Sequence, residues 1–399
     1  MSLLEIPAEY IDQFEIIDSV EERSDDEILE TLNQYSAVTS EKNIWAFWHA
    51  GISTMPAWCQ RNVIDWVRIC GPEWTIRVVD NEPESPNYVL KYITPDLFPT
   101  AFVERKMDGK FHGQHSADLV RTAALFTHGG AWMDVGSIMT RHIDRICWTQ
   151  LEDPNTPHQI AIMLMFGQMV VNYFVAARKG DPFIKRWHEL FLHVWGNRTN
   201  HEGLLSEPLL SPVLINSYQP WLDIGISFDF KAPPITAAEY ITQCYCWRRL
   251  TFLEDAGDGF SCADYWMNNV LLLDCMKEGW SAEAAVGFNA GGQAIFDLLS
   301  LSRDGDKSTA EYKSAEKLVW SVLGNSCMMK ITKGGDLMRT LLLGSLWDRP
   351  ENRGKDREPG TFAELLRYGS VHLRQKREVL VTKNAEPPET TWKKGVLEI

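Results

Sequence analysis

The sequence lacks the short motifs of several common enzyme classes. It has no GxxxxGK[ST] phosphate loop, no GxGxxG dinucleotide fingerprint, no GxSxG nucleophile elbow and no HExxH zinc motif. Each of these motifs places defined groups around a phosphate, a cofactor, a nucleophile or a metal. Their absence argues against ATP use, Rossmann-type NAD binding, α/β-hydrolase chemistry and zincin-type proteolysis.

The cysteines are few, and their spacing does not match a metal-binding motif. The 399-residue chain has eight cysteines and no CxxC pair, and the pair at 244 and 246 falls short of the roughly four ligands of a structural zinc. We therefore expect reduced thiols in a reducing compartment. The N-terminal segment has neither the basic nor the apolar region of a signal peptide. The long uncharged run at 154–177 contains polar residues and a glycine, which is typical of two buried strands and a turn, so we predict a cytoplasmic protein without membrane contact.

Positive charge is in deficit. The chain has 39 basic and 54 acidic residues, a formal net charge of −15. Residues 1–43 contain twelve acidic and two basic residues, so the other 356 residues carry only −5. A nearly neutral body argues against a broad nucleic-acid-binding face and against DNA as a partner. It leaves room for a small basic patch, and Arg367, Arg374, Lys376 and Arg377 form such a cluster in the sequence.

Hydrophobic periodicity predicts an α/β architecture after residue 43. Strand-like runs at 44–49 and 74–80 flank a helical pattern over 57–69, which predicts a parallel β-α-β unit. A helix from about Ser116 to Thr127 ends at a glycine pair and leads into a strand at 131–135. The same patterns predict strands at 160–166 and 171–177 and helices at 181–195, 264–277, 308–323 and 361–368.

These elements suggest three regions along the chain. Residues 1–43 form an acidic extension with one helix, which begins at a capping box of Ser24 and Glu27. Residues 44–300 form the catalytic domain, an open, mostly parallel sheet flanked by helices with its site at the carboxyl ends of the strands. Residues 301–399 form a C-terminal helical part and a basic tail.

The most informative segment is HSADLVRTAALFTHGGAWMDVGSIMTRHID at 115–144. Asp118 and Arg121 are three residues apart and share one helix face. Asp134 lies at the end of the strand that follows the helix, so we predict that the three side chains converge. The alternative is an ordinary helical ion pair and an unrelated turn aspartate.

This segment resembles the helix–GG–strand–DxD segment of GT-A glycosyltransferases of the capsular-polysaccharide or mannosyltransferase-like branch. The matching residues are Ser116, Asp118, Arg121, Gly129, Gly130, Trp132 and Asp134. IWAFWHAG, WTIRVVDNE and the stretch from Asn172 to GDPFI are similar to further elements of that branch, so the resemblance covers about residues 44–190. It implies a GT-A-like fold, a nucleotide-diphospho-sugar transferase-like sheet.

The sequence departs from this family at one position of its metal motif. The family's DxD holds a divalent cation that neutralises the diphosphate of the donor, whereas this chain reads Asp134-Val135-Gly136. The second carboxylate, which a hard cation would favour, is missing. We therefore expect no required cofactor and no metal site. Asp134 is the remaining candidate ligand if a divalent cation is retained.

The sequence also resembles fungal arginine-containing cyclodipeptide synthases, including the phrase GGxWMDVG. This resemblance implies tRNA-dependent synthesis of a cyclic dipeptide, a natural product, from arginyl-tRNA and a second aminoacyl-tRNA. The broken DxD and the absence of an anchor favour this reaction, while the acidic charge opposes it. We therefore expect an aminoacyl transferase whose tRNA contacts Arg367, Arg374, Lys376 and Arg377. The alternatives are a cytosolic glycosyltransferase and a catalytically inactive relative.

The expected chemistry assigns candidate roles to residues near the DxD position. The catalytic candidates are Asp134, Asp118, Arg121 and His115. The carboxylates suit a guanidinium, Arg121 suits a phosphate or carbonyl oxygen, and His115 suits a general base.

Further residues are substrate-binding candidates, and they are Trp48, His49, Ser116, Trp132, Ser137 and Asn172. The two tryptophans offer aromatic faces to a base, a sugar or a guanidinium, and His49 is a second candidate base. Ser116 and Ser137 could carry an acyl group, although Ser116 also fits a helix N-cap.

Overall fold

A seven-stranded sheet organises the fold. The computed structural model describes residues 5–19, 21–214, 222–223, 227, 229–332, 334 and 337–399. Its strands in chain order are β1 Phe14–Ile16, β2 Asn43–Phe47, β3 Thr75–Val79, β4 Gly130–Met133, β5 Ser137–Met139, β6 Ile160–Met165, β7 Met169–Ala177, β8 Leu253–Asp255, β9 Val270–Asp274, β10 Met328–Lys330, β11 Leu373–Gln375, β12 Thr382–Lys383 and β13 Trp392–Lys393. The central sheet has the order β12-β9-β6-β7-β4-β2-β3.

Strand direction in this sheet is mostly parallel. β2 is parallel to β3 and β4, and β6 is parallel to β9. β7 runs antiparallel to both β4 and β6, and β12 runs antiparallel to β9. Five of the seven strands therefore point the same way. The predicted open, mostly parallel sheet flanked by helices is confirmed, as is the parallel β2–α–β3 unit.

Helices cover both faces of the sheet. Those of the described residues are α1 Asp25–Leu32, α2 Ala57–Cys70, α3 Thr100–Val103, α4 His112–His128, α5 Thr149–Glu152, α6 Pro182–Trp195, α7 Pro234–Tyr240, α8 Thr242–Leu250, α9 Cys262–Asn269, α10 Cys275–Glu278, α11 Ser281–Val286, α12 Gly291–Leu299, α13 Ala310–Asn325, α14 Leu343–Trp347 and α15 Phe362–His372. Because both faces are covered, every residue of β2 is buried.

Side-chain alternation along the strands separates two core layers. Ile44 and Ala46 of β2 pack in one layer with side chains of α2, α13 and α15. Trp45 and Phe47 point to the other face and pack with side chains of α4, α6 and α8. This period-2 alternation places one layer on each side of the sheet.

Most of the predicted elements are present, with shifted ends. The capping box of Ser24 and Glu27 starts α1 as predicted, and the uncharged run 154–177 forms the hairpin of β6 and β7. The helix predicted from Ser116 begins one turn earlier, at His112. The helix predicted over 264–277 is wrong, because the apolar run Val270–Asp274 pairs with β6 as strand β9 and divides the helix into two.

Both termini of the described chain pack against the body. β1 pairs antiparallel with β11, and α1 lies against α2. The C-terminal part contributes β12 to the edge of the central sheet. The two boundaries between the three predicted regions, after residues 43 and 300, stay a prediction. Among the described residues, no helix is long and apolar enough to span a membrane.

Candidate active site

Helix α4 and strand β4 bring three of the predicted residues to one place. α4 is a 17-residue helix that ends at Gly129, whose φ of 72° continues the chain into β4. Asp118 and Arg121 are on the helix, and Asp134 directly follows Met133 at the carboxyl end of β4. The loop after β4 therefore starts at the edge of the sheet where ligands of α/β proteins bind.

Asp118, Arg121 and Asp134 form one ion-pair network. Arg121 donates to Asp118 Oδ1 at 2.5 Å and to Asp134 Oδ1 at 3.4 Å. Arg121 is only 3% exposed, whereas the Asp134 side chain is 30% exposed. The guanidinium also lies 5.0 Å from the centre of the Trp132 ring. Asp134 is thus the most exposed of the three side chains, and the buried Arg121 holds it in place.

Two amides complete the buried side of this network. Asn172 Nδ2 donates to Asp118 Oδ1 at 3.0 Å and to Gln243 Oε1 at 2.8 Å. Gln243 Oε1 also accepts from Arg121, and Gln243 Nε2 donates to the Asp118 carbonyl at 2.6 Å. These bonds leave Asp118 and Arg121 little freedom to turn.

A bulge in β7 positions Asn172. β6 and β7 pair at Ile162–Val175 and next at Met163–Val171, so residues 172–174 of β7 have no partner in β6. Such a bulge bends a strand and redirects its side chains. Tyr173 in the bulge accepts a hydrogen bond from the Asp134 backbone N–H at 2.9 Å through its carbonyl. The bulge therefore aligns the end of β4 with the Asn172 amide.

Lys330 supplies a second positive charge to Asp134. It is the last residue of β10, which pairs antiparallel with β5 so that Lys330 is opposite Ser137. Its Nζ donates to Asp134 Oδ2 at 2.8 Å and lies 5.2 Å from the centre of the Tyr173 ring. The side chain is 14% exposed. Each oxygen of Asp134 thus has a cation beside it.

The pKa values in the network follow from these charges. Burial disfavours the Asp134 carboxylate, but Lys330 and Arg121 outweigh this effect and lower the pKa of Asp134 below its ordinary value. Burial also disfavours the Arg121 guanidinium, but Asp118 and Asp134 outweigh it and raise the pKa of Arg121. Asp134 is therefore ionised throughout the neutral pH range.

The DxD position has no room for a second carboxylate. A Cβ at Gly136 would lie 2.7 Å from the Ile331 carbonyl oxygen, so a second carboxylate there would collide with backbone. Asp134 Oδ1 accepts from Trp132 Nε1 at 3.0 Å, and Oδ2 is occupied by Lys330. Among the residues that the structure describes, no group of three or more His, Cys, Asp or Glu side chains could hold a metal ion.

Three of the predicted site residues are buried beneath the network. His115 lies within α4 with its Nδ1 3.3 Å from Asp118 Oδ2, and its ring is enclosed by aromatic side chains. Ser116 is not an N-cap, because α4 starts at His112, and its Oγ faces the sulfur of Met107 at 3.5 Å. Trp132 is buried, so it supports Asp134 and Arg121 instead of lining an open pocket.

The other predicted substrate-binding residues are buried to different degrees. Trp48 is half-buried after β2 and donates through Nε1 to Thr54 Oγ1 at 3.0 Å. The His49 ring packs edge-to-face with the His112 ring, with 4.8 Å between the ring centres, and burial lowers the pKa of His49. Ser137 is fully buried in β5, which places it away from open solvent.

Most residues of the basic cluster predicted to bind tRNA form ion pairs with acidic residues of this chain. Arg367 is buried and pairs with Asp65 and Asp356. Arg377 donates to both carboxylate oxygens of the fully buried Glu278, at 2.8 Å each. Arginines committed to buried acids are not available to phosphates.

The rest of the cluster is small. Arg374 is exposed and pairs with Glu15 at 3.2 Å, while Lys376 is exposed beside it. Two neighbouring surface cations do not make the predicted nucleic-acid interface, and that prediction is wrong.

Sequence reasoning missed Gln243, Lys330 and Tyr240. Gln243 and Lys330 contact the network directly. Tyr240 is close enough that the charges of Asp118 and Asp134 add to the burial that raises its pKa. None of the three belongs to a motif near residues 115–144, so no local pattern marks them.

The chain is similar to a known protein family and to several glycosyltransferases. A family model described as capsular polysaccharide synthesis protein matches residues 9–203. The chain is 47% identical over 394 residues to a probable glycosyltransferase of Fusarium pseudograminearum, covering 99% of each chain. It is 39% identical to an O-glycosyltransferase of Annulohypoxylon truncatum, covering 96% of this chain and 91% of that one. It is 38% identical to a glycosyltransferase of Aspergillus fumigatus, covering 94% and 96%.

These relatives overturn the predicted reaction. The cyclodipeptide synthase prediction is wrong, because relatives at up to 47% identity are named glycosyltransferases. The aminoacyl transferase activity and the aminoacyl-tRNA partners, arginyl-tRNA included, are wrong with it. Sugar transfer, the alternative from the sequence, fits better. The missing second carboxylate of the DxD motif misled the prediction of the reaction.

Proposed function

Because this chain belongs to a family of fungal glycosyltransferases, we propose that it transfers a sugar from a sugar nucleotide to a hydroxyl oxygen of an acceptor. The observation that carries this proposal is 47% identity to a probable glycosyltransferase over 99% of both chains. The relative from Annulohypoxylon truncatum is named an O-glycosyltransferase, which supports oxygen as the acceptor atom. We also propose that the protein is cytosolic, as the cysteine pattern predicts.

Sugar transfer places a defined demand on the site. The acceptor oxygen forms a bond to the anomeric carbon, and the bond from that carbon to the phosphate oxygen breaks. Both electrons of the broken bond leave with the nucleoside diphosphate, and the hydroxyl proton is released to water. Negative charge therefore grows on the departing phosphate, and fixed positive groups aimed at it lower the barrier.

The network around Asp134 contains such positive groups, which the Asp134 carboxylate holds in place. Asp134 is its most solvent-accessible carboxylate, and it lies at the carboxyl edge of the sheet. Asp118 and Arg121 are buried behind it and hold it in place, so we assign them as positioning residues. Asp134 is proposed to face the donor.

A survey of donors tests the proposal. The purified protein is incubated with UDP-, GDP-, ADP- and dTDP-sugars and with simple alcohols, and released nucleoside diphosphate and the product mass are measured. We expect one class of donor to be turned over, and Asp134→Asn to lower the rate at least about 100-fold, because the fixed positive groups around Asp134 lose the carboxylate that positions them. Asp96→Asn, at an exposed carboxylate, is the matched control. Failure to use any sugar nucleotide would refute the proposal, and full turnover by Asp134→Asn would remove this site from it.

A further inference from the structure

Lys330 is a cation that the glycosyltransferase proposal does not yet use. Its ammonium is held by one hydrogen bond to Asp134 Oδ2 at 2.8 Å. An ammonium group has three N–H donors, so among the described residues two of them remain without a protein acceptor. The Asp134 side chain beside them is 30% exposed. Lys330 therefore lies at the accessible end of the network with donors to spare.

The backbone fixes Lys330 in this position. Its strand is paired with β5 through three residue pairs, Met328–Met139, Met329–Ile138 and Lys330–Ser137. Its own N–H donates to the Gly279 carbonyl at 2.9 Å. The face of the Tyr173 ring lies 5.2 Å from Nζ and adds a cation–π contact. The ammonium is thus preorganised before any ligand arrives.

Lys330 Nζ lies close to the position from which the second carboxylate of a DxD motif would extend. A Cβ at Gly136 would lie 3.7 Å from Lys330 Nζ. A divalent cation between two carboxylates is neutral overall, and one ammonium beside one carboxylate is neutral as well. The site thus has one negative charge fewer than a two-carboxylate site, and a monovalent cation balances it.

We infer that the Lys330 ammonium, and not a divalent metal ion, binds the β-phosphate of the donor and stabilises the departing nucleoside diphosphate. This inference rests on the proposed function and names the group that neutralises its leaving group. The sugar–phosphate bond breaks with its electron pair on the β-phosphate oxygen, and two Lys330 N–H groups donate to that phosphate. Nucleotide binding and sugar transfer then persist when divalent cations are removed.

The test compares nucleotides with and without the β-phosphate. Isothermal titration calorimetry in EDTA measures binding of UDP, GDP, ADP and dTDP and of the matching monophosphates to the wild-type protein, Lys330→Met and Lys330→Arg. We expect the wild type to bind one diphosphate at least about tenfold more tightly than its monophosphate, as charged hydrogen bonds to phosphate predict. Lys330→Met abolishes that difference and leaves monophosphate binding nearly unchanged. Lys330→Arg retains part of it.

Controls separate a local effect from a general one. Lys313→Met removes an exposed positive charge on α13 and is expected to bind like the wild type. Turnover of the accepted sugar nucleotide by the wild type is measured in EDTA and with added Mn²⁺ or Mg²⁺, which does not depend on whether Lys330→Met folds. We expect equal rates.

The outcomes distinguish this inference from the proposed function. If the wild type turns over a sugar nucleotide only with a divalent cation, or if folded Lys330→Met keeps the diphosphate preference, the role of Lys330 is refuted while sugar transfer stands. If the wild type neither binds a nucleoside diphosphate nor turns over a sugar nucleotide, both are refuted.

Discussion

Restoring the second carboxylate at Gly136 is expected to destabilise the protein and not to create a metal site. A Cβ there would lie 2.7 Å from the Ile331 carbonyl oxygen, against 3.4 Å or more for ordinary contact, so the two backbones must separate by roughly 0.7 Å. They are joined by a hydrogen bond of 2.6 Å from the Ile331 N–H to the Gly136 carbonyl. Forcing extra atoms into a packed site costs about 1–3 kcal/mol. Gly136→Ala measures this steric cost without adding charge.

Thermal denaturation and turnover of the two variants give a clear result. For a chain of this length, 1 kcal/mol corresponds to roughly 1 °C in Tm, so Gly136→Ala is expected to melt about 1–3 °C lower. Gly136→Asp has the same steric cost, offset in part by the attraction between its carboxylate and Lys330. Neither variant should gain activity from Mn²⁺. A Gly136→Ala protein as stable as the wild type, or a Gly136→Asp protein activated by Mn²⁺, would show that the reasoning about this position is wrong.

Three further predictions concern buried charges. Arg121→Met leaves two carboxylates without their shared cation, and urea denaturation should show a loss of about 3–5 kcal/mol. Arg377→Ala strands the fully buried Glu278 carboxylate, with a similar loss, whereas Arg374→Ala at an exposed pair should change stability by less than about 1 kcal/mol; equal effects would contradict the burial argument. Burial raises the pKa of Glu283 to about 7, so the folded state favours its protonated form and stability is lost as pH rises from about 4.5 to 7. Glu283→Gln should remove that part of the pH dependence of Tm, and an unchanged profile would contradict it.

Local periodicity was enough to predict the parts of the site that are close in sequence. Asp118 and Arg121 share a helix face because they are three residues apart, and Asp134 ends the next strand. A short helix–turn–strand leaves few ways to arrange these residues, so their spacing indicated convergence, although it left open an ordinary helical ion pair with an unrelated turn aspartate. The predicted ends of β4 and α4 differ from the observed ends by between one residue and one helical turn, because the exact terminal residues of an element are the hardest to predict.

Residues that reach the site from distant elements could not be predicted in this way. Gln243 is 122 residues from Arg121, and Lys330 is 196 residues from Asp134. Their approach depends on how α8 and β10 pack, which no local pattern encodes. Arg367 misled the prediction of a tRNA-binding patch for the same reason. Its acidic partners Asp65 and Asp356 lie outside the basic cluster in the sequence, so the sequence does not reveal that Arg367 is paired. A cluster of basic letters thus does not distinguish a surface patch from buried ion pairs.

Hydrogen–deuterium exchange with and without the accepted sugar nucleotide tests most directly whether the donor binds at the Asp134–Lys330 edge of the sheet. The backbone amides of 134–137 and 328–331 should exchange more slowly when the nucleotide is bound, because the ligand would rest on both segments. The C-terminal segment 373–378 should be unaffected. Protection elsewhere, with no change at 134–137 and 328–331, would contradict this account of the site.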